Sequence, residues 1–340
     1  MAPPGIPQMP LMLARFGFYG LRSAVHLTRR FKGVRARALF AGCAAHSILP
    51  LTRLPSAAVG LVFALTGHLT DWPVAQGGSS AISKALASYF CSLGGEIQTG
   101  RRIASLDEIP KTKAVLFDTA PRTLIEIAGA HLPKGYVKRL ARYNYGPGTF
   151  KLDWALAGPI PWKDPACAKA STVHVGGTLE EINQAETAAW RGIVPERPFV
   201  LACQQSHFDE TRAPSGQHTG YAYCHVPNGC DKDMSEAIES QIERFAPGFR
   251  DLILDRHVLS PGGFEAYNSS YVGGAITGGA ADLFQLFTRP VARLNPYTTP
   301  NPRLFLCSAS TPPGGGVHGM CGFYAARAVL QRLGKRAILR

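Results

Sequence analysis

The stretch Ser308-Ala-Ser-Thr-Pro-Pro-Gly-Gly-Gly-Val-His-Gly-Met320 is the most informative part of this sequence. The apolar run before it, residues 304–307, predicts a buried strand, and the helical spacing after it predicts a helix over residues 319–333. Three consecutive glycines let a backbone approach a flat ligand without a Cβ clash. The following helix N-terminus supplies free N–H groups and a positive dipole end. This pattern predicts a binding site for a phosphate group or for the negatively charged edge of a flat ring. The alternative is a glycine-rich surface loop without a ligand.

Upstream of this stretch, the sequence mixes short strands with longer helices. Thr178 with Glu181, and Asp233 with Glu236, are capping-box patterns that predict helix starts. We predict strands over residues 96–103, 114–117, 149–156, 172–175, 199–204 and 219–225, and helices over residues 11–31, 54–70, 79–93, 122–130, 178–191 and 233–247. Strands mixed with long helices in the middle of the chain indicate an α+β domain.

Composition indicates a globular protein of about two domains. Of the 340 residues, 46% are hydrophobic and 17% are charged, which excludes a disordered chain. The formal net charge is +13, and it is concentrated at the start: residues 1–70 hold no Asp or Glu and eight basic residues, namely Arg15, Arg22, Arg29, Arg30, Lys32, Arg35, Arg37 and Arg53. Such a segment attracts anions. We interpret it as a helical face beside a cofactor or a membrane surface, with a transit peptide as the alternative.

Cysteine and histidine spacing predicts no metal site. The eight cysteines include no C-x-x-C pair, which is typical of reduced thiols in a cytosol-like compartment. The five histidines considered have no mutual spacing that implies a metal, and we expect polar or core roles for them: His46, His174, His207, His218 and His225. The longest uncharged stretch, residues 54–70, is shorter than the about 20 apolar residues that a membrane span needs, so we predict a buried helix there.

Several motifs, taken together with the C-terminal stretch, resemble one family. They are Gly67-His68 with Trp72-Pro73, Gly77-Gly78-Ser79, Gly146-Pro-Gly-Thr-Phe-Lys-Leu-Asp-Trp154, Tyr271-Val-Gly-Gly-Ala-Ile-Thr-Gly-Gly279, Asp282-Leu-Phe-Gln285, Arg289-Pro290 and Tyr297-Thr-Thr-Pro300. From about residue 35 to residue 333, the chain resembles the phytoene-dehydrogenase-like (carotenoid-desaturase-like) FAD-dependent oxidoreductases of the amine-oxidase flavoprotein superfamily. That resemblance implies an α/β fold of the two-domain FAD-dependent oxidoreductase type, with an α+β substrate domain.

The chain departs from that family at its start. The family begins with a strand, a G-x-G-x-x-G turn and a helix that hold the FAD pyrophosphate, and no such unit opens this sequence. We therefore expect an incomplete Rossmann-like FAD domain in a chain that is truncated or is one half of a split protein. The resemblance implies a mostly helical substrate-side segment over residues 1–76, FAD-domain parts over 77–130 and 296–333, a substrate domain over 131–295 and a tail over 334–340.

The resemblance also implies which residues lie near the cofactor. They are Trp72, Asp118, Ser308, Ser310, Thr311, Gly314, Gly315, Gly316, Val317, His318, Gly319 and Met320. His318 either bonds the flavin ring or caps the helix, and Trp72 either stacks near the flavin or fills the core. Lys151 shares a strand face with Asp153, as an ion pair or as a substrate-facing pair. No catalytic residue is identified; Lys151 and His318 are the candidates.

The implied activity is hydride transfer from an apolar or unidentified substrate to FAD. Because the pyrophosphate-binding unit is missing, binding of FAD by this chain alone is in doubt, and enzymatic activity is left open. The alternative is a non-catalytic member, or half of a split protein, that acts through a partner. Expected partners are the substrate, a missing N-terminal half or a second copy, and a peripheral membrane surface. No nucleic acid is expected, since the basic residues form no known reading motif. The expected location is cytoplasmic, with or without membrane association, or mitochondrial.

Overall fold

The computed structural model describes residues 9–70 and 72–334. The first part of the chain is helical, with α1 (Pro10–Gly20), α2 (Ala24–Thr28), α3 (Val34–Ala45) and α4 (Ser56–Leu69). The side chain of Ser23 accepts a hydrogen bond from the backbone N–H of His26 and so begins α2. The next helix, α5 (Ser80–Ser92), has no buried residue.

A five-stranded antiparallel sheet forms the centre of the molecule. Its strands are β2 (Gly148–Leu156), β3 (Thr172–Val175), β4 (Val200–Cys203), β5 (His218–Val226) and β6 (Ile253–Leu259), in the order β3-β4-β5-β2-β6. Along β2 the side chains of Phe150, Leu152 and Trp154 point to one face and pack against Ile238 and Ile242 of α9 (Ser235–Phe245). The opposite face is covered at its β3–β4 end by α3 and α8 (Leu179–Trp190).

A second, two-stranded parallel sheet pairs β1 (Val115–Phe117) with β7 (Leu304–Leu306). Leu306 packs with Leu124 of α6 (Pro121–Ala128) and Leu140 of α7 (Lys134–Leu140). Phe305 packs on the other side with Ala325 of α12 (Met320–Arg332). Along the chain, α10 (Pro261–Tyr267) and α11 (Leu283–Thr288) lie between β6 and β7. Parallel strands place their carboxyl ends at one edge, so Asp118 and Cys307 leave the sheet side by side.

The structure confirms most of the predicted elements. The Thr178–Glu181 capping box is present at α8, and the strand predicted over 172–175 is β3. At α9, Asp233 accepts a hydrogen bond from the N–H of Ser235, but the residue before the helix is Met234, so the predicted box is wrong. The helix predicted over 11–31 is broken between α1 and α2.

Two further predictions need correction, and one strand was missed. Residues 96–103, predicted as a strand, have irregular structure and no ladder partner among the described residues. The helix predicted over 54–70 exists as α4, but only its first turns are buried, and Leu65 and Leu69 are exposed. Strand β6 was not predicted. Residues 1–8, 71 and 335–340, which include most of the predicted tail, lie outside the described residues. The proposed domain boundaries stay predictions.

Candidate functional site

A cavity of about 150 Å³ opens at the carboxyl ends of β1 and β7. Its lining residues come from three separate parts of the chain: Asp118, Ala120, Asn268, Ser270, Tyr271, Ile276, Gly278, Ser308, Ala309 and Ser310. The hydroxyls of Ser308 and Ser310 lie 2.6 Å apart, and the Ser270 hydroxyl accepts a hydrogen bond from the N–H of Ala120 at 3.1 Å. The structure therefore brings together three of the predicted site residues, Asp118, Ser308 and Ser310.

Burial in the cavity changes the pKa of Asp118, an acid that lines it. Burial raises the pKa of the Asp118 carboxyl. Burial, with smaller contributions from Asp118 and Cys321, raises the pKa of the neighbouring Cys307 thiol to about 12. Cys307 is therefore an uncharged thiol at neutral pH.

The glycine-rich loop leads from this cavity to helix α12. Thr311 is fully buried, and its hydroxyl donates to the carbonyl of Ser308 at 2.8 Å. Residues 315–319 are exposed, and Val317 is 89% exposed. Gly319 has φ 61° and lies directly before α12, where a residue with a Cβ would be strained. The imidazole Nδ1 of His318 accepts a hydrogen bond from the Met320 N–H at 3.0 Å, which is the predicted cap of this helix.

Gly314, Gly316 and Gly319 have the G-x-G-x-x-G spacing, but they do not form the dinucleotide-binding unit of a Rossmann fold. That unit follows a strand directly and leads through a helix to a second parallel strand. Here residues 307–313 separate the first glycine from β7, and no strand follows α12 within the described residues. The loop is therefore a different glycine-rich turn with the same spacing.

Residues 271–279, which we name the bridging segment, connect the loop to the central sheet. A Cβ on Gly278 would lie 2.6 Å from that of Ala309, and a Cβ on Gly315 would lie 2.8 Å from the carbonyl oxygen of Thr277. At its other end the side chain of Asn228, just after β5, donates to the carbonyl of Val272 at 3.0 Å. Because neither Gly278 nor Gly315 carries a Cβ, the bridging segment and the glycine-rich loop can lie in close contact.

A buried arginine holds the same loops together. Arg289 is 6% exposed, and its Nη2 donates to the hydroxyl of Tyr143 at 3.0 Å and to the carbonyl of Ala309 at 3.1 Å. It also faces the carbonyl of Gly279 at 3.4 Å. No carboxylate pairs with Arg289 among the described residues, and its Nε has no hydrogen-bond partner there. The sequence pointed to Arg289 only as part of a motif.

The other predicted residues lie elsewhere. Trp72 is 49% exposed and packs against Phe63 of α4, with 4.6 Å between ring centroids, so it does not fill the core. Lys151 pairs with Asp153, and its ammonium lies 4.7 Å from the ring centroid of Tyr221 on the neighbouring strand. These three side chains lie on the face of the central sheet that α9 does not cover. None of Trp72, Lys151 and Asp153 lines the cavity.

Comparison with known proteins places the fold. No family model matches the chain. It is 30% identical over 308 residues to the rat (Rattus norvegicus) pyridine nucleotide-disulfide oxidoreductase domain-containing protein 2, covering 79% of this chain. The chain spans only 53% of that relative's length. Among solved structures, it matches an oxidoreductase from Methanosarcina mazei with a TM-score of 0.59 at 16% identity, covering 96% of this chain and 71% of that one.

A redesigned putrescine oxidase matches with a TM-score of 0.58 at 10% identity, covering 95% of this chain and 70% of that chain. The chain has the fold of these solved structures, an oxidoreductase and a putrescine oxidase. The α/β, two-domain expectation is thereby confirmed. The narrower resemblance to phytoene dehydrogenases stays a prediction.

The residues present fit one part of an FAD molecule. Thr119 lies between the lining residues Asp118 and Ala120. Its hydroxyl is buried and has no hydrogen-bond partner among the described residues. The buried Nε of Arg289 also has no hydrogen-bond partner there. Such atoms are uncommon in proteins unless a ligand or water satisfies them. The cavity is smaller than the about 300 Å³ at which drug-sized ligand sites begin, so it accommodates a fragment of FAD and not the whole.

Proposed function

We propose that this chain supplies the substrate domain and the flavin-side wall of an FAD-dependent oxidoreductase. The observation that carries the proposal is the meeting of Asp118 with Ser308 and Ser310 at the carboxyl ends of two parallel strands, beside the N-terminus of α12. Ligands of open α/β sheets bind at that edge. The relatives are oxidoreductases by name. We assign oxidoreductase activity to this chain as part of the proposal.

The side chains around the cavity and on the central sheet would have different roles in the proposed reaction. When bound, FAD would accept a hydride from a substrate C–H bond, and this hydride carries the electron pair of that bond. The hydroxyls of Ser308 and Ser310 would hold the cofactor by hydrogen bonds, and the N-terminus of α12 would favour negative charge near Gly315 and Gly316. Arg289 fixes the loops that carry them. The half-covered face of the central sheet, which carries Lys151 and Tyr221, is the wall for an apolar substrate with a polar end.

Flavin titration of the purified chain tests the proposal. Binding of FAD quenches and shifts its fluorescence, and Ser308→Ala should weaken that binding several-fold, because one hydroxyl of the cavity is lost. Ser240→Ala, whose hydroxyl faces Glu236 on the outside of α9, is the matched control and should bind FAD as the original chain does. Equal affinity of the two variants for FAD contradicts the assignment of the cavity.

A second candidate function is that of one half of a two-part flavoprotein. It is favoured by α5, whose apolar side chains Ile82, Leu86, Tyr89 and Phe90 are all exposed, and by the exposed Leu116 of β1. Exposed apolar patches of this kind mark interaction surfaces. A chain that binds FAD only after addition of a separate G-x-G-x-x-G polypeptide supports this second function. Tight FAD binding by the chain alone excludes it.

A further inference from the structure

Helix α1 exposes apolar side chains on more than one side. Five apolar side chains of α1 and that of the following Leu21 are exposed: Leu11, Met12, Leu13, Phe16, Phe18 and Leu21. The exposed fraction of Leu11 is 86%. A helix that is apolar all round normally lies inside a protein or a lipid phase. Helix α1 instead lies at the surface, where Gly20 packs closely against Ala58 of α4. The helix therefore presents a surface that something else covers.

Helix α4 extends this surface. It is in contact with α1 and exposes Val62, Leu65 and Leu69 along its second half. We name the exposed apolar side chains of the two helices the α1–α4 face. Unlike apolar residues scattered singly over a protein surface, these side chains lie on two helices that contact each other. This face is separate from the cavity beside Asp118, to which neither helix contributes a lining residue.

Positive charge lies beside the α1 side of the α1–α4 face. The eight basic residues of the first 70 have no acidic neighbour in that segment, and within the described residues none of them forms a salt bridge. Two arginines lie against the aromatic residues of α1: the guanidinium of Arg22 is 4.3 Å from the ring centroid of Phe18, and that of Arg30 is 5.2 Å from that of Tyr19. Apolar and unneutralised cationic groups are therefore interleaved.

We propose that the α1–α4 face binds the surface of a bilayer that contains anionic phospholipids. The apolar side chains would enter the acyl boundary, and the arginines would meet the lipid phosphates. A second copy of the chain would bring the same positive charge to the contact and be repelled. A nucleic acid would account for the arginines but not for the exposed leucines and phenylalanines. A lipid surface satisfies both kinds of group.

The geometry favours a helix lying on the bilayer and not across it. No helix of the described residues is long and apolar enough to cross a membrane. The 11 residues of α1 span about 16 Å, against a hydrocarbon core of about 30 Å. The proposal does not depend on FAD, so it stands or fails separately from the proposed oxidoreductase function.

Co-sedimentation of the full chain with vesicles tests this inference. Vesicles of phosphatidylcholine mixed with phosphatidylglycerol should bind the chain several-fold more than vesicles of phosphatidylcholine alone, and added salt should weaken that difference. The double variant Leu13→Ser with Phe18→Ser should lose most of the binding. A matched control, Phe284→Ser with Leu294→Ser, also removes two exposed apolar side chains and should bind as the original chain does.

A second variant tests the charge. Arg29→Gln with Arg30→Gln should lower binding to the anionic vesicles and leave the weak binding to phosphatidylcholine unchanged. Circular dichroism and urea unfolding check that every variant is folded. The inference is wrong if the chain ignores anionic vesicles, or if Leu13→Ser with Phe18→Ser binds them normally. Sedimentation velocity adds one more outcome: a dimer that this double variant converts to a monomer, without vesicle binding, would make the face an interface between copies and overturn the proposal.

Discussion

Arg289 is the residue on which the loops around the candidate site depend most. It is a buried cation without an anionic partner among the described residues, and it is held by oxygens of Tyr143, Gly279 and Ala309. Burial of an unpaired charge is costly, so such a residue persists where its hydrogen bonds have several good acceptors. A cation in this position also favours a bound anion close by.

Replacing Arg289 by methionine should destabilise the fold by about 3 kcal/mol, because buried carbonyl oxygens lose their donor at about 1–3 kcal/mol each. Urea unfolding measures the change in the free energy of unfolding. Arg303→Met is the matched control, since Arg303 is exposed and forms no salt bridge among the described residues, and it should change stability by less than about 0.5 kcal/mol. Equal stability of the two variants would show that Arg289 is not a structural clamp.

A pair of partly buried histidines should make the fold sensitive to acid. His46 and His174 lie with their Nε2 atoms 2.8 Å apart between α3 and β3. Burial lowers the pKa of His174 from 6.5 to about 4, and burial with the charges of His174 and His225 lowers the pKa of His46 to about 2. Because both values are depressed in the fold, the unfolded chain takes up more protons, and stability is lost as the pH falls from about 6.5 toward 4.

The expected loss is about 3 kcal/mol for each histidine over that range. His46→Gln keeps a polar group beside His174 and should make the dependence shallower by about 1.4 kcal/mol per pH unit. Urea titrations at several pH values measure this slope. His68→Gln is the control, because His68 is exposed and bonds only its own helix at Ala64 in the described structure. A slope unchanged by His46→Gln contradicts the assignment.

At the scale of elements, α5 is stabilised by its own backbone and not by the core. Its apolar side chains Leu86 and Tyr89 are 65% and 66% exposed. Leu86→Lys with Tyr89→Lys should therefore change the free energy of unfolding by less than about 0.5 kcal/mol while it reduces self-association in light scattering. Leu124→Ala in the buried face of α6 should cost about 2–5 kcal/mol instead. A large loss of stability in the α5 variant would show that α5 packs against the fold.

The sequence predicted those elements whose signals are local. Helix α8 was found because Thr178 and Glu181 form their capping box within four residues, and β2 because its side chains alternate strictly. Strand β6 could not be predicted because Ile253–Leu259 carries charged residues and lacks the apolar alternation of a covered strand. It lies at an edge of the sheet. Residues 96–103 have strand-forming composition but no neighbouring strand to pair with in the described chain.

The candidate site was only half predictable for the same reason. The glycine-rich loop before α12 is contiguous in the sequence, so Ser308 and Ser310 could be named. Ser270 and Tyr271 reach the cavity through the tertiary fold alone, as does the contact between His46 and His174, which are 128 positions apart. No spacing rule connects such residues, and only the tertiary packing of the fold brings them together.

At the scale of the molecule, the proposed flavin-side site predicts an unusual order of affinities. If the chain holds only the flavin side of FAD, then riboflavin, FMN and FAD should bind it with Kd values within a few-fold of one another. Fluorescence titration with the three ligands measures this. A normal pyrophosphate cradle would instead favour FAD by orders of magnitude. Strong preference of the chain alone for FAD would show that a phosphate site exists within it.

The pairing of β1 with β7 also sets the order in which the molecule can assemble on the ribosome. Strands β2 to β6 are contiguous in the chain and pair antiparallel, so this sheet can form while synthesis continues. Strand β1 leaves the ribosome earlier but has to wait for residues 304–306. Until then its edge is open to other nascent strands. Translation of nearly the whole chain therefore precedes closure of the edge that carries Asp118, and chains released early would have that edge unpaired.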